Sequence, residues 1–128
     1  MAHRNAEIYR QLYDMFLKQD IAGAKELVAD DVRWHEAGAP DAVVGKDAVL
    51  QRLSLGESLT ADVDVHDVLA DDDHVVALIT AHMRKPNGDD ITYRAVEVAH
   101  MRDGKVTERW SFMDAVPDDV GRFFADLG

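Results

Sequence analysis

The sequence has no cysteine among its 128 residues, which excludes disulfide bridges, thiol nucleophiles and cysteine-based metal sites. It also lacks any apolar run near the roughly 20 residues that a membrane-spanning helix needs. Positive charge is scarce, since 14 Lys and Arg residues stand against 25 Asp and Glu residues, for a formal net charge of −11. No basic cluster offers a footprint for phosphates. We therefore expect neither nucleic acid nor a membrane as a partner.

The remaining composition is typical of a globular protein, with 47% hydrophobic and 30% charged residues. A chain of this length suffices to bury one core and hardly two, so we predict a single domain over residues 1–128. The segment from Met1 to Arg10 lacks the apolar stretch of a secretory signal. We expect a cytoplasmic location.

The first half of the chain has the periodicity of helices. Apolar residues at spacings of three and four predict a helix from Glu7 to Leu17. Asp20 is suited to cap a second helix from Ile21 to Ala29, and Asp47 to open a third. Between the second and third helices, Val32 to Glu36 is typical of a short strand.

From Thr60 onward the apolar period changes to two, which predicts strands. Turn signals at 71–73, 86–89 and 102–104 separate strands predicted at 74–84, 91–101 and 105–113. Pro117 predicts the start of a short terminal helix in which Phe123, Phe124 and Leu127 pack against the body. The order predicts an α+β fold, with a curved, mostly antiparallel sheet around N-terminal helices and one apolar pocket on the concave side.

Three segments resemble the SnoaL-like branch of the nuclear transport factor 2-like superfamily. They are Phe16 to His35, with Gln19-Asp20-Ile21 and Leu27-Val28-Ala29-Asp30-Asp31-Val32-Arg33-Trp34-His35; the step Val44-Gly45-Lys46-Asp47-Ala48; and Asp103-Gly104-Lys105-Val106-Thr107-Glu108-Arg109-Trp110 with Asp114. The resemblance spans nearly the whole chain and implies a cone-shaped fold. This scaffold carries isomerases, polyketide cyclases, epoxide hydrolases and proteins without catalysis, so the resemblance alone does not choose a function.

The resemblance also implies which side chains face the pocket. On the first strand these are Val32, Trp34 and Glu36, as strand alternation allows. The same alternation places Tyr93, Ala95, Glu97, Ala99 and Met101 on one face of a later strand, with Arg109, Ser111 and Met113 as neighbours. Trp110 and Phe112 then lie on the convex face, where we expect a homodimer.

Glu97 and Glu36 are the candidate catalytic residues. The resemblance places Glu97 where ketosteroid isomerases have a protonated aspartic acid and Glu36 where they have the aspartate base, which implies Glu36 as base and Glu97 as neutral acid. The isomerase tyrosine aligns with Leu12 and the cyclase aspartate with Ser111, so neither known set of catalytic residues is complete. The predicted binding residues are Trp34, Arg109, Ser111, Leu12, Tyr13 and Tyr93.

Each carboxylate also has a structural interpretation. A buried ion pair of Glu97 with Arg109 or Arg94, or a solvent-exposed position at the sheet edge, explains this residue as well as a catalytic role does. A solvated strand end accounts for Glu36.

The six histidines show no metal-binding spacing, and the glycines form no phosphate loop, so we expect neither a metal nor a cofactor. His82 and His100, on neighbouring predicted strands, are candidate cross-strand partners.

Three functions are compatible with these residues. The first is a cofactor-free isomerase, cyclase or hydrolase that uses general acid/base catalysis on a small apolar molecule. The second is a pocket that binds such a ligand without catalysis. The third is an interaction module that acts through the convex face of the sheet.

Overall fold

The computed structural model describes residues 3–114 and 122–125. The helices are α1 (Arg4–Leu17), α2 (Ile21–Lys25) and α3 (Lys46–Ser54), and a 3-10 turn follows at Leu55–Ser58. The strands are β1 (Val28–His35), β2 (Val43–Val44), β3 (Thr60–Ala70), β4 (His74–Arg84), β5 (Asp90–Arg102) and β6 (Lys105–Met113). The predicted terminal-helix start at Pro117 and its member Leu127 lie outside the described residues. No described helix is long and apolar enough to cross a membrane.

One six-stranded sheet has the order β2-β1-β6-β5-β4-β3. Strands β3 to β6 form an antiparallel meander, and β1 joins it beside β6 as the parallel pair of this mixed sheet. Helix α1 packs against β3 and β4, and α3 packs against β1. The predicted α+β cone, with helices on one face of a curved, open sheet, is therefore confirmed.

The second helix is shorter than predicted. It ends at Lys25, and the chain enters β1 at Val28, where the sequence periodicity had extended the helix to Ala29. The sheet decides this boundary, because Val28 is fully buried opposite Val106, whose N–H donates to the Leu27 carbonyl at 2.9 Å. Burial of Val28 in the sheet outweighs a local preference for helix that is weak by comparison.

Helix α1 is held over the sheet at both ends. Near its start, the Asn5 side-chain amide donates to the carbonyls of Asp71 and Asp72, in the turn between β3 and β4, at 2.9 and 3.1 Å. At its end, Gln19 takes a positive φ of 56°, and the Asp20 N–H donates to the Met15 carbonyl. This is a Schellman-type ending, which fixes where the helix stops. These two sets of hydrogen bonds define which side of α1 faces the sheet.

The alternation of buried and exposed residues along β1, β5 and β6 follows the predicted parity. Val32 and Trp34 are buried on β1, while Arg33 is exposed. On β5 the buried set is Tyr93, Ala95, Glu97, Ala99 and Met101, and on β6 Arg109 and Ser111 are buried beside it. Phe112 points to the opposite face and is 60% exposed. The predicted inward and outward faces of these strands are confirmed.

The histidine pairing differs from the prediction. His100 lies opposite His74, with ring centroids 5.1 Å apart, whereas His82 lies opposite Thr92. The register follows from the hairpin at 85–89, which pairs Arg84 with Asp90 and so fixes every pair further along the two strands.

Candidate active site in the concave pocket

A cavity of about 150 Å³ lies between α1, α3 and the concave face of the sheet. Most of its wall is apolar, formed by Leu12, Phe16, Leu53, Leu55, Leu59, Val63, Ile79, Met83, Met113 and Phe124. Its polar lining comprises Tyr9, Tyr13, Trp34, Glu36, Arg52, Tyr93, Glu97, Arg109 and Ser111. The cavity therefore combines a hydrophobic wall with a few polar groups, as small-molecule sites do.

Glu97 is the centre of the polar lining and is only 2% exposed. The Tyr9 hydroxyl donates to its Oε1 at 2.5 Å, and the Tyr13 hydroxyl donates to its Oε2 at 2.5 Å. Arg109 donates from one terminal guanidinium nitrogen to Oε2 at 2.7 Å. Three donors thus compensate the cost of removing this carboxylate from water.

Arg109 is itself held by several partners. Its guanidinium carbon lies 4.4 Å from the centre of the Trp34 ring, a cation–π distance, and it also donates to the His35 carbonyl at 3.4 Å. Burial has the largest single effect and lowers the pKa of Arg109, but the Glu97 charge, Tyr9, Tyr13 and the hydrogen bond to Glu97 together outweigh it, so the net pKa is raised. The guanidinium is therefore permanently charged, and Glu97 is its counter-ion.

The two phenols share one stripe of α1. Tyr9 and Tyr13 are four residues apart, and Asn5, which ties the helix to the β3–β4 turn, lies four residues before Tyr9. Residues at this spacing lie on the same face of a helix. The anchor at Asn5 therefore aims both hydroxyls at Glu97.

Burial raises the pKa of both Tyr9 and Tyr13 well above 10, and the negative charge of Glu97 raises each further. Burial likewise raises the pKa of Tyr93 to about 12. The phenols are consequently neutral hydrogen-bond donors across the physiological pH range.

Glu36 lines the same cavity, just after the end of β1. Arg52 on α3 forms a bidentate pair with it, donating from Nε to Oε1 at 2.7 Å and from a terminal nitrogen to Oε2 at 2.8 Å. Both side chains are about one-third exposed, at 31% and 33%. The structure thus brings the two predicted carboxylates to one cavity, each with its own arginine.

The six predicted binding residues, Trp34, Arg109, Ser111, Leu12, Tyr13 and Tyr93, all line this cavity. Sequence reasoning missed Tyr9 and Arg52. The spacing of Tyr9 from Tyr13 was a usable signal, because a helix that turns one phenol toward the sheet turns the other there too. No comparable signal identified Arg52, since its partnership with Glu36 depends on how α3 packs against β1.

Within residues 3–114 and 122–125, no group of three or more His, Asp or Glu side chains is arranged to hold a metal ion. The chemistry of the described site rests on carboxylates, phenols, arginines and one serine hydroxyl.

Comparisons with known proteins agree with this architecture. A family model described as the SnoaL-like domain matches residues 9–109. A nuclear transport factor 2-like protein of unknown function from Burkholderia pseudomallei superposes with a TM-score of 0.79 at 21% identity, covering 94% of this chain and 96% of its own. The search of curated proteins found no match.

Two further solved structures have the same fold. An LEH-like epoxide hydrolase of M. tuberculosis gives a TM-score of 0.77 at 15% identity, with 87% of this chain and 83% of that chain covered. A proposed polyketide cyclase from Xanthomonas campestris gives a TM-score of 0.78 at 19% identity, with 98% of this chain and 97% of that chain covered. At these identities the similarity establishes the fold alone.

The three tyrosines of the chain all line the cavity, so their ionisation reports on the site without background. Their folded pKa values lie above the unfolded value of about 10, so their contribution to stability is present below pH 10 and is lost as pH rises above it. We expect no phenolate absorbance from native protein at pH 10, where urea-unfolded protein is half ionised. The variant Tyr93→Phe should remove the step near pH 12. Native titration that coincides with the unfolded curve would contradict the buried cluster.

The Glu97–Arg109 pair predicts a non-additive effect on stability. Replacing Arg109 with Met leaves Glu97 buried without its counter-ion, and we expect a loss of about 3–5 kcal/mol in urea unfolding. The double variant Glu97→Gln with Arg109→Met removes both charges, so it should lose less than the Arg109→Met single variant. If the costs of Glu97→Gln and Arg109→Met simply add, the pair is not coupled.

Proposed function

The chain belongs to the SnoaL-like domain family, and on this premise we propose that its cavity binds a small, mainly apolar molecule and acts on it by general acid/base catalysis without a cofactor. The observation that carries the proposal is the carboxylate of Glu97, which is buried at one side of an apolar cavity and accepts hydrogen bonds from an arginine and two phenols. Titratable groups concentrated in a cleft are typical of catalytic sites. The shared fold with an epoxide hydrolase and a proposed polyketide cyclase supports a small-molecule role.

We assign proton acceptance to Glu97 and hydrogen-bond donation to Tyr9 and Tyr13. An ionised carboxylate has about four lone-pair positions, and three are engaged by these phenols and Arg109, which leaves one for a substrate proton. This assignment replaces the role of neutral acid that the resemblance implied for Glu97, because both of its oxygens accept hydrogen bonds. Each phenol has one O–H, which donates to Glu97 in this structure, so a phenol becomes a donor for a substrate oxygen that gains negative charge only when Glu97 accepts a proton and releases it.

For Glu36 we propose an orienting role. Arg52 engages both of its carboxylate oxygens in a bidentate pair, which competes with proton transfer at either oxygen. Its position beside the cavity lets the Glu36–Arg52 pair contact a polar group at the other end of a ligand.

We further propose the cytoplasmic location that the sequence predicts. A second candidate function is ligand binding without catalysis. The observation in its favour is the density of donors around Glu97, since protonating this carboxylate weakens all three of the hydrogen bonds that it accepts. In that case the cluster of charges and phenols gives the pocket its shape and selectivity only.

A substitution at Glu97 separates the two candidates. We expect turnover of at least one substrate from a panel of cyclic ketones and epoxides, and a loss of about 100-fold or more in kcat for Glu97→Gln. The matched control is Glu108→Gln, an isosteric change on the opposite face of β6, where Glu108 pairs with His35 at 2.7 Å. Binding of panel compounds with no turnover would favour the second candidate, and unchanged kcat in Glu97→Gln would exclude Glu97 as the base.

We also propose that two copies of the chain pair through the convex face. An apolar patch there is formed by Leu69, Val76, Leu78, Val96, Val98, Trp110 and Phe112, in two adjacent rows across β3 to β6. Leu69 and Phe112 are its most exposed members, at 72% and 60%. An exposed apolar patch of this kind is typical of an interface.

Local charge balance favours a second copy as the partner. The chain carries a net charge of −11, so two copies repel unless the approaching faces are neutral. Beside the patch each of two acids has an arginine partner: Asp114 with Arg94 at 2.8 Å and Glu108 with Arg33 at 3.6 Å. Around β5 and β6 the patch therefore combines apolar surface with paired charges, which two identical acidic chains can bury together, while the exposed acids Asp62, Asp64 and Asp67 lie on the edge strand β3.

The oligomeric state tests this interface. We expect light scattering at micromolar concentration to give twice the 14.3 kDa chain mass, and Phe112→Glu to give the mass of one chain. The control Val44→Glu changes an exposed apolar residue on β2, outside the patch, and should leave the mass doubled. A monomeric wild-type chain would overturn the proposal.

A further inference from the structure

The charges that line the cavity cancel in pairs. Glu97 is neutralised by Arg109 at 2.7 Å, and Glu36 by Arg52 at 2.7 and 2.8 Å. The other titratable groups among its described lining residues are tyrosines with raised pKa values, which are uncharged. A charged ligand would have to leave water without gaining a free counter-ion, which is costly. The electrostatics thus favour a neutral ligand.

One hydroxyl in the lining, that of Ser111, makes no hydrogen bond within the described part of the chain. Ser111 is 6% exposed. It lies directly across from Glu97 in the β5–β6 register, on the same face as Arg109 two residues earlier. The Arg109 Nε is likewise buried without a hydrogen-bond acceptor in the described part of the chain. Buried polar groups are normally hydrogen-bonded, so a ligand oxygen that reaches either atom would satisfy it.

The volume limits the size of the ligand. At about 150 Å³, the cavity matches the size of an engineered apolar cavity, also about 150 Å³, that accepts benzene. Drug-sized molecules occupy pockets of roughly 300–1,000 Å³. One ring with a short substituent therefore fits within this volume, and a fused four-ring skeleton would have to extend beyond it.

From these three observations we infer that the cavity is selective for neutral, single-ring molecules bearing a carbonyl or hydroxyl oxygen, and that Ser111 is the residue that recognises this oxygen. The inference rests on the proposed function and narrows its substrate class. A serine hydroxyl donates to a carbonyl and also accepts from an alcohol, so both groups are accommodated. Glu97, opposite Ser111, then lies beside the carbon or oxygen that carries an acidic proton.

Four probes of defined chemistry test this selectivity on the full-length chain by saturation-transfer NMR. They are acetophenone, a neutral ketone; benzoate, an anion of the same size; toluene, which lacks the oxygen; and progesterone, a four-ring ketone. We expect acetophenone to bind more tightly than each of the others. The substitution Ser111→Ala should raise the Kd for acetophenone by about two- to tenfold and leave that for toluene unchanged. Thr107→Ala, on the same strand, is the matched control and should change neither.

The possible results separate this inference from the proposed function. Tighter binding of benzoate would overturn the neutral-ligand claim, and tighter binding of progesterone would overturn the size limit, while both would leave a small-molecule pocket in place. An equal effect of Ser111→Ala on acetophenone and toluene would make Ser111 structural. Failure of all four probes to bind would instead count against the proposed small-molecule function itself.

Discussion

The buried ion pair between Glu97 and Arg109 is the interaction on which the concave side of this protein depends. Both charges lie in an apolar surrounding, where either alone would be strongly destabilising. They persist because Tyr9, Tyr13 and Trp34 supply the hydrogen bonds and aromatic surface that water would otherwise provide. The pair therefore links helix α1 to three strands of the sheet. The polar lining of the cavity is a consequence of how these two buried charges are stabilised.

This arrangement also explains how the fold can hold a cavity at all. A domain of this size tends to fill its interior to the density of an organic crystal. Here, part of the interior is occupied by groups whose hydrogen-bonding geometry fixes them in place, and apolar side chains from α1, α3 and the 3-10 turn enclose the remaining space. The conformation at Gly45 contributes, because its φ of 96° and ψ of 148° suit glycine and turn the chain from β2 into α3.

Much of the architecture was predictable because it depends on local pattern. The helical periodicity of α1, the alternation along β4, β5 and β6, and the turn residues between them each act over a few residues. The end of α2 was not predictable in this way, because Val28 joins a strand whose partner, β6, is almost 80 residues away in sequence. The register that pairs His74 with His100 was missed for a similar reason, since it depends on the hairpin that joins two long strands.

For the candidate site, strand alternation in the sequence determined which residues share a face of each strand, and the family resemblance implied that Glu97, Arg109, Ser111 and Trp34 are on the inward face, where the structure buries them. Only the tertiary structure decided which of them meet. The choice of Arg109 over Arg94 as the partner of Glu97, the pairing of Glu36 with Arg52, and the convergence of Tyr9 and Tyr13 on one carboxylate all depend on distances between separate elements. Parity is a property of the backbone and is fixed locally, whereas a hydrogen bond requires that two elements be packed to within about 3 Å.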